Sequence, residues 1–152
     1  MKFLKRLGAL VALVVCSAFI LTACSNEYGK YRYSVDLTEY LDGRVSESVA
    51  AQVRQTPGSK SLVYTITLRK NGSKNEAYFY GDVYSALPMD EELENELSKV
   101  FRISLSGTYK KDGDKLIMTD ENTSATYEAT IKDGVISIEI FEGEIFELKL
   151  EK

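Results

Sequence analysis

The chain has 152 residues, with 19 basic and 23 acidic side chains, two cysteines, no histidine and no tryptophan. That length suits one domain with a single core. Without histidine, Ser-His-Asp and Cys-His catalysis are excluded, and so is every zinc site built on imidazole.

The first two dozen residues carry a localisation signal. Lys2, Lys5 and Arg6 precede an uncharged apolar run from Leu7 to Leu21, and the small pair Thr22-Ala23 then leads to Cys24. This order reads as a secretory signal. Leu21-Thr22-Ala23-Cys24 resembles the lipobox of bacterial lipoproteins. The resemblance implies cleavage between Ala23 and Cys24 and diacylation of the Cys24 sulfur. It places the domain at the extracytoplasmic face of a cell membrane, lipid-anchored, with the outer membrane included if the bacterium has two. Two acyl chains give a stable hold where one alone is marginal. The alternative is an uncleaved anchor, but Leu7 to Leu21 is shorter than the roughly 20 residues a spanning helix needs.

Residues 1–23 are therefore expected to be removed, residues 24–27 to form a short tether, and residues 28–152 to form one mainly-β domain. Cys16 leaves with the signal and Cys24 is acylated, so no thiol remains for a disulfide, a nucleophile or a metal site. Lys2, Lys5 and Arg6 leave too, and the remainder carries a formal charge of −7. An acidic domain without an arginine-rich stripe is not built to track nucleic-acid phosphates. Its net charge also disfavours contact with an anionic lipid surface, which leaves anchorage to the lipid on Cys24.

Tyr28 to Leu37 alternates, with Tyr31, Tyr33, Val35 and Leu37 on one side, as a half-buried strand does. From Thr38 to Gln55 the period changes. Leu41, Val45, Val49 and Val53 recur every four residues, and Ser46 is a good N-cap, so a helix is expected to begin near it. Thr56-Pro57-Gly58 ends that helix. Leu62, Tyr64, Ile66 and Leu68 restore period two, and Asn71-Gly72 predicts a hairpin into Glu76 to Val83. Pro88 to Phe101 is a second helix, with Asp90, Glu91 and Glu92 at its positive end and Leu93, Leu97, Val100 and Phe101 as its buried stripe. Five strands follow, turning at Asp112-Gly113, Asp133-Gly134 and Glu142-Gly143. Ile136, Ile138 and Ile140 form one expected inward row, and Phe146, Leu148 and Leu150 another.

Eight strands in antiparallel order predict an up-and-down barrel, which leaves no exposed edge. The alternative is an α+β arrangement, a curled antiparallel sheet wrapped on a helix. Gly29-Lys30-Tyr31 opens the first strand, and Gly107-Thr108-Tyr109 recurs before a turn. The second segment, GTYKKDGDKLIMTD, resembles the repeating hairpin of small bacterial lipocalin-like lipoproteins. In lipocalins a Gly-x-Trp on the first strand seals the closed end of the barrel; here Tyr31 stands at the tryptophan position. The resemblance implies a lipocalin-like barrel of about eight strands with one or two short helices.

The candidate chemistry is sparse. The carboxylates Asp90, Glu91, Glu92, Glu94 and Glu96 read as a solvated helix face, and they lack the glycine and alternating ligands of an EF-hand. Paired carboxylates acting in glycoside hydrolysis would have to be assembled by the fold. Ser59-Lys60 and Ser98-Lys99 miss the Ser-x-x-Lys spacing of penicillin-recognising enzymes. No catalytic residue, metal site or cofactor is assigned. Tyrosines offer an apolar ring with a polar tip, which suits a pocket for an amphipathic ligand, and Tyr31, Tyr33, Tyr64, Tyr78 and Tyr80 are the candidates. The sequence thus predicts a membrane-tethered, non-enzymatic binding module for a small amphipathic ligand. An envelope protein that binds a protein partner or serves structurally around a filled core is the first alternative. A carboxylate-dependent hydrolase is the second.

Overall fold

The structure, a computed structural model, describes residues 27–152. Eight antiparallel strands follow one another around a closed barrel: β1 (Gly29–Asp36), β2 (Lys60–Asn71), β3 (Lys74–Ser85), β4 (Ile103–Asp112), β5 (Lys115–Asp120), β6 (Thr126–Lys132), β7 (Val135–Phe141) and β8 (Glu144–Leu150). This is the expected up-and-down, lipocalin-like barrel, and closure pairs the strands that an open sheet would leave as edges, over part of their length where β1 meets β8.

Two helices interrupt the meander, both at the same end. α1 (Glu47–Gln55) lies between β1 and β2, and α2 (Glu91–Phe101) between β3 and β4. The Ser46 hydroxyl caps α1 by accepting from the Val49 N–H at 3.3 Å, and the Asp90 carboxylate caps α2 by accepting from the Glu92 N–H at 2.9 Å. The chain before α1 is not helical throughout. Gly43, at φ +77°, separates α1 from a 3-10 turn at Leu37–Tyr40, which Asp36 caps. Leu37, Leu41, Ala50 and Val53 from this excursion, and Leu93, Leu97 and Phe101 from α2, join the barrel core. The helices therefore close one end, here called the mouth. The opposite end, the base, carries the chain entry at Glu27 and three two-residue turns.

Period-two alternation decides what fills the barrel. Leu62, Tyr64, Ile66 and Leu68 on β2, Phe79 on β3, Leu116 and Met118 on β5 and Ile136 on β7 have no measurable exposure. An eight-stranded barrel is just wide enough for side chains to fill it, and these residues do so. The turn from β6 to β7 uses Asp133 and Gly134, both at positive φ (52° and 78°), the geometry of the tight hairpin expected there. The β2–β3 hairpin also forms, but Asn71 pairs with Lys74, so its turn residues are Gly72 and Ser73 rather than Asn71 and Gly72.

Two irregularities shape the mouth. The ladder between β1 and β8 holds at two residue pairs, Tyr31 with Leu150 and Arg32 with Lys149, both near the base. Towards the mouth the two strands carry no further paired residues, although both continue. In β7 the register shifts between Glu139 and Phe141. A bulge of this kind re-aims the residues beyond it. Phe141 consequently packs against Phe101 and Phe146, with ring centroids 5.9 Å away in each case.

Candidate functional site

The unpaired part of the β1–β8 seam is filled by aromatic rings. Phe146 on β8 is their hub: Tyr33 of β1 lies 5.2 Å away edge-on, Tyr64 of β2 5.4 Å away, and Tyr40 of the 3-10 turn 5.6 Å away. Offset and edge-to-face rings at such separations attract beyond their buried area. The Tyr33 and Tyr40 hydroxyls bond each other at 3.0 Å. Burial first, and then this bond, push the Tyr33 phenol up to about 12.

Arg44 lies on this cluster. Its guanidinium carbon is 5.2 Å from the Tyr40 ring centre and 5.0 Å from that of Phe141, so the cation meets two aromatic faces. One guanidinium nitrogen donates to the Tyr40 carbonyl at 3.3 Å, and another forms an ion pair with the Glu144 carboxylate at the start of β8. Outside this arrangement a cleft of about 360 Å³ is lined by Glu39, Tyr40, Arg44, Glu144, Ile145 and Phe146. Its volume falls near the lower end for small-ligand sites, about 300–1,000 Å³. Ile145 points outward and is 69% exposed. The cleft is mainly polar, with one guanidinium and two carboxylates beside the exposed Ile145. Its lining carries a net negative charge and suits an uncharged amphipathic molecule better than an anion.

At the base, both Gly-x-Tyr segments converge on one residue. The Tyr31 hydroxyl donates to the Glu27 carbonyl at 2.9 Å, and the Tyr109 hydroxyl donates to the Glu27 carboxylate at 3.2 Å. Lys111 pairs with the same carboxylate at 3.1 Å. Burial, and secondarily the Glu27 charge, raise both phenols above their ordinary range. Glu27 is therefore part of the fold rather than of a free tether, and it plugs the barrel beneath Tyr31 and Tyr109.

The five tyrosines proposed for a ligand pocket do not come together. Tyr31, Tyr33 and Tyr64 point inward, but Tyr31 is 1% exposed at the base and Tyr64 is wholly buried, its pKa raised by that burial. Tyr78 and Tyr80 lie on the outer face of β3, because Ala77 and Phe79 take the inward positions between and before them. Tyr80 is half exposed. The Tyr78 hydroxyl bonds Glu76 at 3.2 Å, and the Arg69 guanidinium lies 5.8 Å from its ring centre. None of the five lines the mouth cleft; Tyr33 and Tyr64 pack behind it, on Phe146. Ala23 and Cys24 lie outside the described residues. Arg44, Glu144 and Phe141 escaped the sequence reading, since Arg44 and Glu144 are 100 positions apart and nothing local to either signals the pairing.

Asp120 is the most enclosed carboxylate, at 7% exposure. It accepts from the backbone N–H groups of Ser106, Asn122 and Thr123 and from the Thr123 hydroxyl, at 2.7–3.0 Å. Those bonds, with the Thr123 amide foremost, hold its pKa below the usual carboxylate value. Its oxygens are occupied in fixing the β5–β6 loop. Among the described residues, no group of three or more His, Cys, Asp and Glu side chains is placed to hold a metal ion. Compared with protein-family models, curated proteins and solved structures, the chain matches none.

Proposed function

We propose that the protein is a membrane-tethered, non-enzymatic binding module of the bacterial cell envelope. On this reading its contact site is the mouth cleft rather than the barrel interior. The observation that carries the site assignment is the opposition between a filled interior and a cleft outside the aromatic seam. Tyr64, Phe79, Leu116 and Ile136 are fully buried, whereas Tyr40, Arg44 and Glu144 border accessible space. A small amphipathic molecule would lay its apolar part on Tyr40 and Ile145. Its hydroxyl or amide groups would meet Arg44, Glu39 and Glu144. The tether is the lipid that the Leu21-Thr22-Ala23-Cys24 lipobox implies on Cys24. The occupied oxygens of Asp120 support a role other than carboxylate catalysis.

Native mass spectrometry of the protein purified from its own membrane, beside Arg44→Ala, tests the ligand. A small-molecule adduct present on the wild type and lost in the variant is expected. An adduct that survives in Arg44→Ala, or a wild type that carries none, contradicts the cleft assignment.

A second reading has its own observation. On the outer face of β3 and the loop after it, Tyr80, Tyr84 and Leu87 are 50%, 61% and 47% exposed. Exposed aromatic rings of this kind are favoured at protein interfaces. Loss of a cross-linked envelope partner in Tyr80→Ser/Tyr84→Ser, with the Arg44→Ala partner set unchanged, would favour this face over the cleft.

A further inference from the structure

The net charge of the domain conceals its distribution along the barrel axis. Lys70, Lys74, Lys110, Lys115, Lys132 and Lys149 are all exposed at or near the base, on strand ends that the topology gathers there. The turn carboxylates Asp112, Asp114 and Asp133 share that end with Glu27, Glu76 and Glu151, of which Glu27 pairs with Lys111 and Glu151 with Lys30, and Lys115 pairs with Glu128 at 3.0 Å. At the mouth the balance reverses. Glu39, Asp42, Glu47, Glu91, Glu92 and Glu94 are exposed on the two helices and on the 3-10 turn and the residues after it, and they outnumber the exposed cations of that end, Arg54, Lys99 and Arg102. The molecule is thus an axial dipole, with cations dominating the base and carboxylates the mouth.

The chain also enters at the base. Glu27 is fixed there by Tyr31, Tyr109 and Lys111. Cys24 lies three residues before Glu27, and three residues reach at most about 10 Å. An acylated Cys24 holds the base within about one Debye length of the bilayer, and an uncleaved apolar run ending at Leu21, six residues before Glu27, holds it within about two.

We infer that the base is a docking face for anionic lipid headgroups. The lysine ring rests on the leaflet that carries the anchor, and the acidic mouth with its cleft is directed away from it. Charge complementarity favours this pose, because inverting the barrel would press the helix carboxylates against anionic lipid. The inference rests on tethering at the N-terminal end and not on which anchor provides it.

The absence of tryptophan supplies the probe. Full chains carrying a single Ser73→Trp at the base or Glu142→Trp at the mouth would be purified from membrane. They would then be reconstituted into vesicles of brominated phosphatidylglycerol, and the intact mass would report the anchor separately. Tryptophan at 73 should be quenched several-fold more than tryptophan at 142. The difference should shrink several-fold with Lys74→Glu/Lys132→Glu, in brominated phosphatidylcholine, or in about 1 M salt, where screening falls to ~3 Å. Glu91→Lys at the mouth should leave it unchanged. Equal quenching at both positions, or a preference indifferent to salt, lipid charge and the lysine reversals, overturns the inference, whatever anchor the mass reveals.

Discussion

Tyr64 and Gly81 face each other across the β2–β3 ladder, and the tyrosine ring occupies the space where a side chain at 81 would begin. A Cβ built on Gly81 would lie 2.2 Å from two ring carbons of Tyr64. Tyr64 in turn touches Phe146 and Phe79, so this glycine sets the position of the aromatic cluster under the mouth. Gly81→Ala should cost about 1–3 kcal/mol through overpacking. In a double-mutant cycle with Tyr64→Ala the two losses should not add, because the smaller residue removes the clash. Urea denaturation of the four proteins measures this, and strict additivity would show that the ring is not held by the glycine.

Lys60 is a buried cation with a defined task. At 5% exposure it donates to the Thr56 carbonyl at 2.5 Å and the Gly58 carbonyl at 3.0 Å, where the chain leaves α1. Lys60→Met keeps most of the stem and removes the donors. A loss of about 1–3 kcal/mol is expected from the orphaned carbonyls. Faster amide exchange confined to the end of α1 and the loop to β2 should accompany it; unchanged exchange there would contradict the assignment.

Asp120 predicts a pH dependence of defined sign. Its folded pKa lies below the ordinary value because backbone amides and a hydroxyl bond its charged form. The stabilisation is therefore complete above an unfolded value of about 3.9 and is lost as pH falls through the lower folded value. Asp120→Asn should be less stable than the wild type at neutral pH, and the gap should narrow below pH ~4. Thermal melts across that range check it. A gap that stays constant would remove the carboxylate charge from the account.

Tyr33 predicts the opposite limb. Its phenol is raised to about 12 by burial and by the Tyr40 bond. A raised phenol stabilises fully below its unfolded value of about 10 and loses that contribution as pH climbs through the folded value. The wild type should lose stability more steeply than Tyr33→Phe between pH ~10 and ~12. In the native protein, absorbance of the phenolate should show one late ionisation fewer in the variant.

Much of the barrel is legible in the sequence because local signals agree with one another. Turn glycines separate the last strands, and Ser46 and Asp90 cap the helices that their neighbours pattern. What is not legible is non-local. Ala77-Tyr78-Phe79-Tyr80-Gly81 is apolar or aromatic throughout, so alternation alone does not say which tyrosines face in. The small residues decide it, since Gly81 must accept the Tyr64 ring and thereby keeps Phe79 in phase with the core. The inward rows expected for β7 and β8 hold at Ile136, Ile138, Phe146 and Leu148, and they fade at their ends. Ile140 is half-buried beside the bulge, and Leu150 is 37% exposed where β8 meets β1. The mouth cleft depends on that bulge and on an ion pair between residues 44 and 144, so neither strand pattern nor motif could reveal it. Glu27 shows the same limit at the base: a polar residue in a short polar stretch reads as linker until two distant tyrosines are seen to bind it.

The tether is tested most directly by the intact mass of the chain extracted from its native membrane. A polypeptide that begins at Cys24, with the mass of a diacylated thioether on its sulfur, is expected. A soluble chain that still begins at Met1 and carries no fatty acid would contradict it.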